Sequence, residues 1–167
     1  MKAKEIIALL GEPGDSKNFV KIQLPFPMKY AGKPVASITC HQKAAPSLLL
    51  ILSEIFQVYG LAKIQELQID DFGGCYNLRP MRGTEEKYDA LIKEGKTEEA
   101  AEFLSVHSWA AAVDLNASRN LLKQNHTTAQ FAKPEYKPMI DIFYKHGWYS
   151  LGREQDRDYM HFQFVKP

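Results

Sequence analysis

Cysteine is scarce in this chain. Only Cys40 and Cys75 occur, and they lie too far apart in sequence for a CxxC metal or redox pair. One disulfide between them stays open as an alternative; two buried free thiols are the expectation. A dominant charge is missing as well. Twenty-one basic and 20 acidic side chains leave a formal net charge of +1, so nothing demands a nucleic-acid partner or a polybasic membrane contact. Long apolar runs are absent: the longest, Leu48–Leu52 (LLLIL), falls far short of the roughly 20 residues that span a bilayer. A secretory signal is absent too. Glu5 interrupts the short apolar stretch of MKAKEIIALL, which reads as an amphipathic helix. The chain is therefore expected to be made in the cytoplasm; if it acts outside, something else must let it out.

What is present suits one folded unit. The length of 167 residues is enough to bury a core, and 45% hydrophobic with 25% charged residues is ordinary for a globular protein. Residues 2–10 and 44–59 read as helices, the second with Pro46 in its first turn and Gly60 as its cap. Residues 19–39, broken by Pro25, Pro27 and Pro34, read as irregular or edge-like extended chain. Residues 62–69 read as a strand, with Ile64, Leu67 and Ile69 as its apolar positions. Residues 84–104 form one or two charged helices broken near Gly95, with Thr84 and Thr97 as candidate caps. Residues 109–115 read as a buried strand, 134–146 as a helix opened by Pro134, and 159–165 as a final strand. Helices and strands do not alternate regularly and no linker divides the chain. The expectation is a single α+β domain over residues 1–167, with helices packed on a small, mainly antiparallel sheet.

Two segments carry chemistry. SVHSWAAAVD (105–114) supplies His107 and Asp114, and DYMH (158–161) supplies Asp158 and His161. Catalytic zinc takes three protein ligands drawn from His, Asp, Glu or Cys and keeps one position open. A nearby carboxylate must then move the proton of the attacking water to the leaving group. Seven residues separate His107 from Asp114, which suits a ligand in a loop followed by a ligand on a strand. Asp158 and His161, three apart, would face opposite ways on a regular strand, so Asp158 is placed in the loop entering it.

SVHSWAAAVD resembles the SxHxxGxAxD motif of the zinc D-alanyl-D-alanine carboxypeptidases and L-alanyl-D-glutamate endopeptidases. That family includes vancomycin-resistance peptidases and phage endolysins. Ser105, His107, Ala112 and Asp114 match its fixed positions, and DYMHF resembles its closing acid-x-x-His segment. The resemblance implies one zinc ion per chain on His107, Asp114 and His161, with Asp158 as general acid/base acting on zinc-activated water. GGCYNLRPMRG (73–83) resembles the family segment whose arginine stabilises the oxyanion; Arg79 is the first candidate and Arg82 the second. Tyr76, Arg82, Ser105 and Trp109 are candidate substrate contacts. The implied substrate is a peptidoglycan stem peptide. The implied protein is a monomer acting at the cell wall without membrane insertion, released in the manner of endolysins through phage-made membrane holes.

Three departures qualify the match. Ala110 stands where the family has Gly, a strain if that position needs positive φ. Gln163 stands where a Glu often follows the histidine. Residues 84–104 form a longer link than usual, read as a lid or specificity insert or as a solvated helical face. Other residues are weaker candidates: His41 as a fourth ligand, Trp148 as a cleft wall. Two alternatives remain: an inactive zinc-stabilised wall-binding module, and a metallohydrolase acting on another amide.

Overall fold

The computed structural model describes residues 1–167. The first helix, α1 (Ala3–Leu10), buries Ala3, Ile6 and Leu10 along one face, as an amphipathic repeat requires. The stretch expected to be irregular is more ordered than its prolines suggest. It holds β1 (Phe19–Gln23), the two-residue strands β2 (Lys29–Tyr30) and β3 (Lys33–Pro34), and β4 (Ser37–His41). β1 pairs antiparallel with β4 from Phe19 opposite His41 to Gln23 opposite Ser37, and β2 pairs with β3. Pro25 and Pro27 fall between strands and Pro34 sits on a very short one, where a missing N–H costs little.

The next helix, α2 (Ala45–Glu66), runs further than expected. Gly60 leaves helical geometry at φ 72°, ψ 161°, yet the chain turns helical again for one more turn. Residues 62–69 are therefore not a strand. Ala62, Lys63, Gln65 and Glu66 are good helix formers, and Ile64 and Leu67 repeat at helical spacing. By length and composition α2 is apolar enough to cross a membrane, although no single apolar run in it is long. Here Leu48, Ile51, Leu52, Ile55 and Ile64 are buried against the core.

Then follow β5 (Phe72–Gly74), α3 (Glu85–Lys93), α4 (Thr97–Ala101), β6 (Ala112–Leu115), α5 (Lys137–Lys145), β7 (Tyr149–Ser150), α6 (Leu151–Gln155) and β8 (His161–Gln163). Gly95, at φ 74°, separates α3 from α4. Of the two expected threonine caps, Thr84 does hold the N-cap position of α3 but makes no side-chain cap bond, and Thr97 does not cap. The Thr84 hydroxyl donates to the Met81 carbonyl, and Thr97 lies inside α4, whose N-cap is Lys96.

The antiparallel sheet has the order β5-β6-β8-β7, which puts β6 and β8 side by side at its centre. Strand alternation sorts their side chains. Val113, Leu115 and Phe162 join a core cluster of 27 buried residues, with α2 and α5 behind the sheet. Phe143 of α5 stacks on Phe162 at 4.0 Å between ring centroids. The alternate positions, Asp114, His161 and Gln163, belong to the other face. A smaller cluster of Ile6, Leu10, Leu104, Trp109, Ala111 and Val165 holds α1. The outcome is the expected α+β fold with a small antiparallel sheet. Cys40 and Cys75 are both buried and free.

Candidate metal centre

Register brings two of the candidate ligands together: Asp114 of β6 lies directly opposite His161 of β8. The third arrives from a 3-10 turn, Val106–Trp109, capped by the Ser105 hydroxyl, which accepts from the His107 amide at 3.4 Å. Ala110 ends that turn in the left-handed region, at φ 53° and ψ 33°, and sends the chain into β6. Gly73 lies against the same spot. A Cβ there would come within 3.0 Å of the Asp114 Cβ and 3.1 Å of its carbonyl oxygen.

His107 Nε2 and His161 Nδ1 each lie 3.1 Å from Asp114 Oδ1. The ligand atoms of all three residues fall within 4.8 Å of one another. His107 Nδ1 sits 2.8 Å from the Cys75 carbonyl, which can only accept, so Nδ1 carries the proton and Nε2 turns its lone pair to Asp114. His161 Nε2 faces Gln163 Oε1 at 2.9 Å. No Lys or Arg pairs with the Asp114 carboxylate. Burial pushes its carboxyl up, but the hydrogen bonds that the His107 and His161 rings donate when both ring nitrogens carry protons, and the charge they then bear, outweigh this and hold it well below the usual carboxylate range. Burial likewise pulls the His161 imidazole down, and the Asp114 hydrogen bond and charge more than reverse it. Two imidazoles and one carboxylate in this cluster are the donor set that a catalytic zinc takes.

Asp114 and His161 of the cluster line a cleft together with Arg79, Arg82, Ser105, Arg157, Asp158 and Gln163, with His107 buried beside them. Asp158 stands just before β8 at φ 51°, its amide donating to the Leu122 carbonyl at 3.1 Å and its carbonyl accepting from the His161 amide at 3.0 Å. Its carboxylate accepts no hydrogen bond, and burial, with the Asp114 charge adding to it, raises its pKa. Arg79 is tied to the His107 turn. Its amide donates to Ser108 Oγ at 3.2 Å, and its carbonyl accepts from Ser108 Oγ at 3.2 Å and from the Ser105 amide at 3.1 Å. Arg82 is exposed and makes no comparable contact.

Some candidates fall elsewhere. Trp109 is only 1% exposed, packs in the small cluster and donates Nε1–H to the Gly11 carbonyl; it is out of reach of a substrate. Tyr76 is exposed and packs on Phe19 at 4.8 Å, outside the residues that line the cleft. Trp148 is fully buried and donates to Ser47 Oγ. His41 is bound to the Leu10 carbonyl and the Lys43 amide, which leaves it no role as a fourth ligand. Two contributors went unread in the sequence, the Cys75 carbonyl and Arg157; Gln163 was singled out as a departure beside the histidine, but not as the hydrogen-bond partner of His161. Gln163 had a signal, since i and i+2 on a strand share a face; Arg157, in a turn, had none.

No curated protein and no solved structure matches the chain. Residues 98–164, which hold His107, Asp114, Asp158 and His161 but neither Arg79 nor Arg82, match the family model described as D-alanyl-D-alanine carboxypeptidase.

Proposed function

We propose that this chain is a zinc-dependent peptidase that hydrolyses an amide bond in peptidoglycan stem peptides. The observation that carries this reading is the convergence of His107, Asp114 and His161, two of which (Asp114 and His161) line a cleft that Asp158 also lines. One zinc per chain, held by those three side chains, would acidify a water and polarise the carbonyl under attack. Asp158 takes the proton of the attacking water and hands it to the leaving amine; a carboxyl with its pKa raised by burial is suited to both halves of that transfer. Arg79, whose backbone is fixed to the His107 turn, supplies the guanidinium that meets the oxyanion.

The arginines also bear on the substrate. Three of the five in the chain (Arg79, Arg82 and Arg157) line this cleft, and none has an acidic partner within salt-bridge distance. A cleft with unpaired guanidinium groups favours an anionic substrate. The two bonds in question share such an anion. In D-Ala-D-Ala, and in L-Ala-D-Glu where glutamate continues through its side chain, the carbon bearing the leaving amine also bears a free carboxylate. We assign that carboxylate to Arg82 and Arg157 at the mouth of the cleft.

The test is mass spectrometry of purified peptidoglycan after digestion, with and without chelator. Release of D-Ala identifies a carboxypeptidase, and a new D-Glu amino terminus identifies an endopeptidase; either product must vanish with chelator. No new product in either sample would refute the peptidase reading in favour of a wall-binding module.

A further inference from the structure

Resting on the metal reading above, we propose that Gln163 is the positioning residue that sets His161 as an Nδ1 ligand. Gln163 and His161 sit two apart on β8 and so share a face. The amide of Gln163 is not free to turn: its Nε2 donates to the Val165 carbonyl at 2.9 Å. A carbonyl oxygen only accepts, so Oε1 must be the atom that meets His161 Nε2 at 2.9 Å. The neutral His161 ring, the form that binds a metal, therefore carries its proton on Nε2 and aims the Nδ1 lone pair at Asp114. With the opposite tautomer, Nδ1–H would donate to Asp114, Oε1 would face a lone pair, and the ligand would be lost. All three groups are buried, so water does not substitute for the missing donor.

Together with the Cys75 carbonyl behind His107, this makes the arrangement complete. Two independent acceptors hold the two rings so that three lone-pair-bearing atoms converge on one point, which only a cation satisfies. The choice of Gln over Glu also has a chemical consequence. A carboxylate behind His161 would add negative charge to the ring and to the site. The neutral amide orients the ring while leaving the site more positive, which favours acidifying a water over holding the metal.

The test uses the intact chain. Competition with a chromophoric chelator gives the zinc affinity of the wild type, Gln163→Leu and Gln163→Glu. The Leu variant is expected to bind zinc about 10–100-fold more weakly. The Glu variant, which still accepts from Nε2 and adds negative charge, is expected to bind zinc at least as tightly as the wild type. Long-range proton–nitrogen NMR of the metal-free wild type at pH 8 is expected to show the His161 proton on Nε2. Wild-type affinity in Gln163→Leu, or a His161 proton on Nδ1, overturns the proposal. The NMR result needs neither the variants to fold nor zinc to bind. A wild type that binds no zinc but keeps the proton on Nε2 refutes the metal reading while supporting the role of Gln163 in orienting the ring.

Discussion

Ala110 is fully buried and held at φ 53°. A left-handed residue with a Cβ costs about 1–2 kcal/mol, so Ala110→Gly relieves strain. Two losses oppose that gain. Glycine gives up about 0.5–1 kcal/mol more backbone entropy on folding, and one buried methyl contributes about 0.8 kcal/mol. The terms nearly cancel, and Ala110→Gly is expected to lie within about 1 kcal/mol of the wild type. Ala112 provides the control, since it is equally buried but lies in β6 without positive φ. Ala112→Gly suffers both losses with no relief, and is expected to cost about 1.3–1.8 kcal/mol. Urea unfolding of the metal-free variants, extrapolated linearly, reads the difference. Equal destabilisation of the two variants would refute the strain at position 110. A matching gain in activity for Ala110→Gly would show that the alanine distorts the His107 turn.

Asp158→Asn should keep its zinc and lose about 10²–10⁴ in kcat, checked by metal analysis alongside turnover; loss of the metal would sink the proton-transfer role. Gly73→Ala drives a methyl against the Asp114 Cβ and carbonyl. It should destabilise by about 1–3 kcal/mol and weaken zinc binding, as read by denaturation and chelator competition. A pH series separates the metal-free and zinc-loaded states. His161 is raised above its ordinary value of 6.5, so its contribution to the metal-free protein is full below about pH 6.5 and fades as pH rises through the raised value. Zinc needs the deprotonated ring, so the shift in Tm caused by zinc should grow from pH 6 to pH 8; a flat shift would contradict the assigned ligand. Stem peptides in which D-Glu carries a carboxamide in place of its free carboxylate should be cut at least tenfold more slowly. Arg157→Gln should abolish that difference, and equal rates on both peptides would remove the arginines from substrate recognition.

The candidate ligands were legible through the resemblance of SVHSWAAAVD and DYMH to the family's motif segments; their spacing alone, although it fits a loop-then-strand path, is a weak signal. β6 and β8 were legible by their apolar content, though each proved shorter than its apolar stretch. The register that sets Asp114 opposite His161 was not legible, since pairing depends on the whole sheet. The strand expected at 62–69 failed because Ile64 and Leu67 fit helical as well as extended spacing, and a short apolar stretch does not decide between them. Trp109 drew attention by lying beside His107, but the 3-10 turn rotates it to the opposite side, into the cluster beneath α1. Positive φ was suggested at Ala110 by the glycine of the resembling motif, but it was invisible at Asn116, Asp156 and Asp158, because none of these is glycine. All four flank β6 or the approach to β8, where the chain must turn sharply to deliver its side chains.

Asp158 is the residue that separates a catalytic metal centre from a structural one. A structural zinc is best served by closed coordination and by neighbours with satisfied polar groups. Here a carboxylate stands beside the cluster in a strained backbone conformation, partly buried and without a hydrogen-bond donor. Each of those features opposes stability, and none is needed to hold the three ligands. The turn is nonetheless secured from outside. Asp156 accepts from the His126 amide and ring and from the Tyr159 hydroxyl, and the Tyr159 ring fills the space over Gly152. Three hydrogen bonds and an aromatic ring thus brace a strained turn whose unpartnered carboxylate lines the same cleft as Asp114 and His161. A fold that only bound the wall would gain by relaxing Asp158. The bracing is what a proton-transfer group requires, because such a group must keep its carboxylate free for a substrate and a water.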